Sequence, residues 1–89
     1  LINPSVSVSI IEYRPFFING EVKNPGGYAF QPGLTIDKAA ALAGGYTERA
    51  SKTKIFVDRI VNGEQQTLSA DRYMKVLPGD IINIEQSFF

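Results

Sequence analysis

Three Pro-Gly pairs decide where this chain has to turn. They stand in "NPGG" at 24–27, "QPGL" at 31–34 and "LPGD" at 77–80. Proline presets φ near −65° at the second position of a β-turn, and glycine accepts the positive φ that a type II turn requires at the third. Asn24-Pro25-Gly26-Gly27, Gln31-Pro32-Gly33-Leu34 and Leu77-Pro78-Gly79-Asp80 all satisfy that pattern. Rigid corners let a short chain reverse sharply and hold ordered loops at low entropic cost.

The segments between the corners are short and differ in period. "SVSVSI" alternates, with Val6, Val8 and Ile10 on one face and serines on the other, as a half-buried strand does. Pro15 ends it. "FFINGEV" reads as a second strand, with Phe16, Ile18, Gly20 and Val22 on one face and Phe17 and Glu21 on the other. Asn19-Gly20 alone would suggest a hairpin turn, but "EVKNP" is too short for a return arm. Gly20 is therefore read as a bulge or a close backbone approach. "YAF" is a short arm between two corners.

One helix is expected over about residues 35–44. Thr35 is its N-cap, Asp37 favours the positive end of the dipole, and Ile36, Ala39, Ala40 and Ala43 share a face. Gly44-Gly45 stops it, one glycine taking the left-handed position after the cap. A face made mostly of alanine must lie close against its support, and a sheet is the natural one. Lys54–Val61 is rich in β-formers, and Asn62-Gly63 marks a hairpin over about 55–68 with Glu64–Leu68 as the return arm. Ala70–Val76 is ambiguous, compatible with a helical turn, and "IINIE" is a last strand. One helix between a leading and a trailing set of strands predicts an α+β fold of the β-grasp kind, a mixed sheet packed on one short helix.

Composition narrows the chemistry. A chain of 89 residues makes a single domain. Nine Lys+Arg balance nine Asp+Glu, and the charges are scattered singly, so no basic stripe points to nucleic acid. With no cysteine and no histidine, thiolate nucleophiles, imidazole bases, disulfides and the usual zinc sites are all excluded. No metal or cofactor is expected. "GGYTERAS" follows a helix instead of opening one, so it presents the wrong end of the dipole to a phosphate. Glycosidases need two carboxylates facing across one bond, whereas Glu21, Asp37 and Asp80 sit in unrelated local settings. An enzyme is not expected. The apolar runs are too short to span a membrane.

Gly20-Glu21-Val22, Pro25-Gly26, Ala43-Gly44-Gly45 and Pro78-Gly79-Asp80, in that order and at these intervals, carry a resemblance along nearly the whole chain. The sequence is similar to the soluble-ligand-binding β-grasp (SLBB) domain of bacterial outer-membrane polysaccharide export proteins. The resemblance implies a module of a capsule or exopolysaccharide export channel on the periplasmic side of the outer membrane, within a protein expected to be a lipoprotein. Its implied partners are identical subunits in a ring, the polysaccharide, and an inner-membrane chain-length regulator or co-polymerase. Residues 1–12 are then expected to be a linking strand from an upstream export domain, and residues 13–89 the SLBB domain. A discrete glycan-binding module, and a β-grasp scaffold piece of a corrinoid-binding or respiratory protein, are the alternatives.

Tyr13, Phe17, Tyr28, Phe30, Tyr46, Tyr73, Phe88 and Phe89 are more rings than a core of this size readily hides. Tyr28 and Tyr46, beside glycine-rich corners, and Phe17 are the candidate ligand or subunit contacts. Arg49 and Arg59 are candidate partners for acidic sugars or neighbouring carboxylates. Gly20, Pro25, Gly26, Pro32, Gly33, Gly44, Gly45, Pro78, Gly79 and Asp80 are assigned to turns and caps.

Overall fold

Strict alternation makes Phe16–Gly20 (β1) a strand with Phe16 and Ile18 fully buried and Phe17 and Asn19 outward. In this computed structural model residues 13–87 are described, so the expected strand at 5–10 and the rings of Phe88 and Phe89 lie outside them. The further elements are β2 (Gly26–Tyr28), α1 (Ile36–Leu42), β3 (Ala50–Val61), β4 (Glu64–Ala70) and β5 (Ile81–Gln86). The strands form one five-stranded sheet in the order β2-β1-β5-β3-β4. β1 and β5 run parallel, and the other three pairs are antiparallel. This is the α+β, β-grasp-like arrangement that the order of elements predicts. The core gathers Phe16 and Ile18 from β1, Ile55 and Val57 from β3 and Ile82 and Ile84 from β5 beneath Ile36, Ala39 and Ala40 of the helix.

α1 is too short to be stable by itself, and both its ends are tied to the rest of the chain. A helix leaves its first four N–H groups without internal partners. Here Ile36 N–H donates to the Met74 carbonyl at 3.0 Å and Asp37 N–H to Arg72 at 2.9 Å. Lys38 N–H reaches the Thr35 hydroxyl at 3.3 Å, and Ala39 N–H closes on the Thr35 carbonyl at 2.8 Å. Thr35 is thus the cap that its type predicts, helped by a loop that sequence did not single out. That loop, over 71–76, is not the helical turn considered for it. Asp71 accepts from Tyr73 N–H on its side chain and from Met74 N–H on its carbonyl, and Lys75 bridges to Thr35.

At the other end Gly45 N–H donates to Ala40 and Gly44 N–H to Ala41, the paired bonds of a Schellman cap. Both glycines take positive φ, 89° and 97°, where one was expected. Asn24 N–H then caps the Ala43 carbonyl at 2.8 Å and ties the first corner to the helix end.

Two of the three corners are type II turns: Leu34 N–H donates to Gln31 and Asp80 N–H to Leu77, with φ of 84° at both Gly33 and Gly79. The first is not. Gly26 takes φ of 155° and enters β2 opposite Ile18, while the Asn24 carbonyl accepts from the Tyr28 hydroxyl. β3 also begins at Ala50, before the expected Lys54. Its pairing with β5 shifts register between Ala50 and Ile55, and the buried Ser51 hydroxyl accepts from Thr53 and Lys54 N–H in the bulge. Polar residues in such a bulge do not alternate, which hides the strand from a period-2 reading. The Asn62-Gly63 turn joins β3 to β4 as expected, with φ of 52° and 82°.

Gly20 is a close backbone approach. At φ of 93° a Cβ there would overlap the Ile84 carbonyl oxygen, which accepts from Glu21 N–H at 3.0 Å. Backbone cannot move aside cheaply, so Gly20→Ala is expected to cost about 3 kcal/mol or more. Gly33→Ala, at φ of 84° with nothing within 4 Å of the new methyl, should cost only about 1 kcal/mol. Urea denaturation of both variants measures the difference, and equal losses would contradict the steric account.

Candidate functional site

The 77–80 corner carries a carboxylate that is 1% exposed, Asp80. Its Oδ1 accepts from Arg59 Nε at 3.0 Å, and its Oδ2 accepts from Arg59 Nη2 at 2.7 Å and Leu77 N–H at 2.8 Å. Arg59 comes from the core-facing row of β3, beyond Val57, and also donates to the Lys75 carbonyl at 3.2 Å. A bidentate guanidinium–carboxylate pair of this kind is directional as well as strong. Arg14 approaches the same corner from the segment before β1. Gly79 N–H donates to the Pro15 carbonyl at 3.1 Å, and a Cβ on Gly79 would lie 3.1 Å from Arg14 Cζ. The guanidinium therefore lies against a glycine that leaves room for it. Around these groups opens a cleft of about 230 Å³, lined by the apolar Ile60, Leu77 and Pro78 together with Arg14, Arg59 and Asp80.

Tyr46 sits elsewhere, beside the helix start. Its hydroxyl donates to Asp37 Oδ1 at 3.1 Å, and Lys52 Nζ lies 5.4 Å from its ring centre. Arg72 Nε is 3.4 Å from the same carboxylate oxygen without the alignment of a hydrogen bond. With both side chains more than a third exposed, that pair contributes little to stability. Burial, the hydrogen bond to Asp37 and that carboxylate's charge push the Tyr46 phenol from 10.0 up to about 12, and Arg72 opposes the shift. The neighbouring Thr47 hydroxyl donates to Glu21 Oε1 at 2.8 Å.

The other sequence-predicted contacts are dispersed. Tyr28 packs on Phe16 with ring centres 6.1 Å apart and spends its hydroxyl on Asn24. Phe17, 44% exposed, covers Gly27 on the outer face of the sheet. Arg49 is exposed, its N–H on the Thr47 hydroxyl and its carbonyl accepting from Ser87 N–H at 2.6 Å. Only Arg59 belongs to the cleft. Arg14 escaped the sequence reading because its place depends on the parallel β1–β5 pair, which no local pattern announces. Among the described residues no group of three or more His, Cys, Asp or Glu is placed to hold a metal.

Two measurements check this geometry. Removing one partner of a buried pair strands the other charge, so Asp80→Ala should lower unfolding free energy by about 3 kcal/mol, read by urea denaturation. For Tyr46, a folded pKa above the unfolded one means stability that is complete below pH 10 and is lost as pH rises through about 12. In an ultraviolet titration with circular dichroism to confirm folding, one of the four tyrosines should ionise near pH 12. That step should vanish in Tyr46→Phe.

The family model of the SLBB domain matches residues 15–69, from the segment before β1 into β4. The chain is also 41% identical over 71 residues to the exopolysaccharide production protein ExoF of Rhizobium meliloti (strain 1021). That alignment takes in 78% of this chain and 17% of the relative, so the chain spans only a small part of the relative's length. With the family model over more than half of its residues and a five-stranded mixed sheet on one short helix, this chain belongs to the SLBB domain family.

Proposed function

We propose that this chain is a non-enzymatic module of a protein that exports polysaccharide through the bacterial envelope. It stands on the periplasmic side of the outer membrane, packs against identical copies in a ring, and contacts the polysaccharide and an inner-membrane partner that regulates chain length. The observation that carries this reading is the likeness to ExoF, named as an exopolysaccharide production protein, over 78% of the chain.

The side chains support a binding role over a catalytic one. Asp80 is occupied by Arg59, Asp37 by Tyr46, Glu21 by Thr47, and Asp58 by the Thr67 hydroxyl at 2.6 Å. These four carboxylates serve contacts within the fold. The outer face of the sheet supports packing between copies through Phe17, which is 44% exposed there. Among the described residues no helix is long and apolar enough to cross a membrane.

Excising the module from the full-length protein tests the reading in a producing bacterium. Secretion of polysaccharide should be abolished while the remainder of the protein is still made. Undiminished secretion would overturn the proposal. Phe17→Asp in the full-length protein should shift the purified assembly to smaller species by light scattering. An assembly of unchanged mass would remove Phe17 from the contact.

A further inference from the structure

We propose that the cleft at the 77–80 corner binds the carboxylate of a hexuronate residue, with Arg14 as its anion-binding group. The inference rests on the polysaccharide reading for the chain to which that sugar belongs; the preference for a carboxylate comes from the cleft itself. Two guanidinium groups and one carboxylate line it, leaving one positive charge in excess. Asp80 cannot neutralise Arg14, because both its oxygens are taken by Arg59 and Leu77 N–H. Arg14 itself makes one long contact, 3.5 Å to the Pro78 carbonyl, and among the described residues it has no ion pair. A guanidinium carries five N–H donors in a planar fork that matches a carboxylate. Among the described residues most of that capacity is unused.

The backbone beside Arg14 is fixed, while its side chain is exposed at the mouth of the cleft. Pro15 follows it and accepts from Gly79 N–H, and its guanidinium atoms lie 3.1–3.4 Å from where a Cβ of Gly79 would be. A fixed backbone leaves only the side chain to be ordered on binding. The remaining walls are apolar, with Ile60 60% and Leu77 46% exposed, and suit the C–H face of a sugar ring. A volume of about 230 Å³ is below the roughly 300–1,000 Å³ of pockets for drug-sized ligands, which fits one sugar residue and not an oligosaccharide. A phosphate dianion is a poorer match. A guanidinium fork matches phosphate too, but a bare phosphate cannot use the apolar walls that a sugar ring covers.

The test is a nitrogen-15 NMR titration of the 89-residue chain, following backbone amides and the Arg14 Nε–H signal. Sodium glucuronate, methyl glucoside and inorganic phosphate are the probes. Glucuronate should give saturable shifts at Arg14, Ile60 and Gly79 with a Kd of about 1 mM, the scale of a single weak contact set. Methyl glucoside should give none, and phosphate should bind more weakly than glucuronate. Arg14→Gln, which leaves the Arg59–Asp80 pair intact, should abolish the glucuronate shifts. The proposal is overturned if glucuronate gives no saturable shift, if its shifts survive in Arg14→Gln, or if phosphate binds as tightly. A titration without shifts beside lost secretion on excision would sink the cleft and spare the export reading. Saturable glucuronate binding beside undiminished secretion would do the reverse.

Discussion

Asp80 holds three parts of the chain in one place. Its side chain pairs with Arg59 of β3 and closes its own turn on Leu77 N–H, and its carbonyl accepts from Phe17 N–H of β1 at 2.8 Å. A buried ion pair gains little over an apolar pair of the same shape, because desolvation offsets the attraction. Its value here is positional. It sits where β5 enters between β1 and β3, and a slip of one residue there would turn Ile82 and Ile84 out of the core. The β1–β5 register, the close approach at Gly20 and the cleft beside Arg14 all inherit their geometry from that point.

Much of the fold is legible in the sequence because it depends on neighbours along the chain. Alternation marked β1, the Thr35 hydroxyl marked the helix start, and Gly44-Gly45 marked its end. Asn62-Gly63 marked the hairpin turn. Each of these rests on a backbone preference that operates over a few residues. The misreadings have a common cause. The 71–76 loop looked ambiguous because its carbonyls accept from a helix start far away in sequence. The first Pro-Gly corner is not a type II turn because Asn24 is recruited by the helix end and by Tyr28.

The candidate contacts divide along the same line. Asp80 was assigned to a turn from its Pro-Gly-Asp setting, and it does close one, but nothing local tells that its carboxylate is buried. Arg59 was a candidate partner for neighbouring carboxylates, and the structure supplies the one it engages, Asp80. Tyr46 was singled out for its place beside a glycine pair, and the structure supplies what sequence could not, a carboxylate on its hydroxyl and a lysine over its ring. Phe17 was placed on the outer face by parity alone, correctly, since parity is a local property.

The sheet order has a consequence for how the molecule comes into being. β5 is the last strand described along the chain, yet it stands third of five, between β1 and β3. Until residues 81–86 leave the ribosome, β1 and β3 have no strand to join them, and the leading half of the domain can form only the small β1–β2 pair. Ordering β1 beside β5 also closes a loop of most of the domain before any contact rewards it, the circumstance that makes parallel pairing slow. Synthesis therefore leaves the β1–β2 pair and the β3–β4 hairpin unjoined until β5 appears. The strand that joins them decides when the domain becomes one mechanical unit.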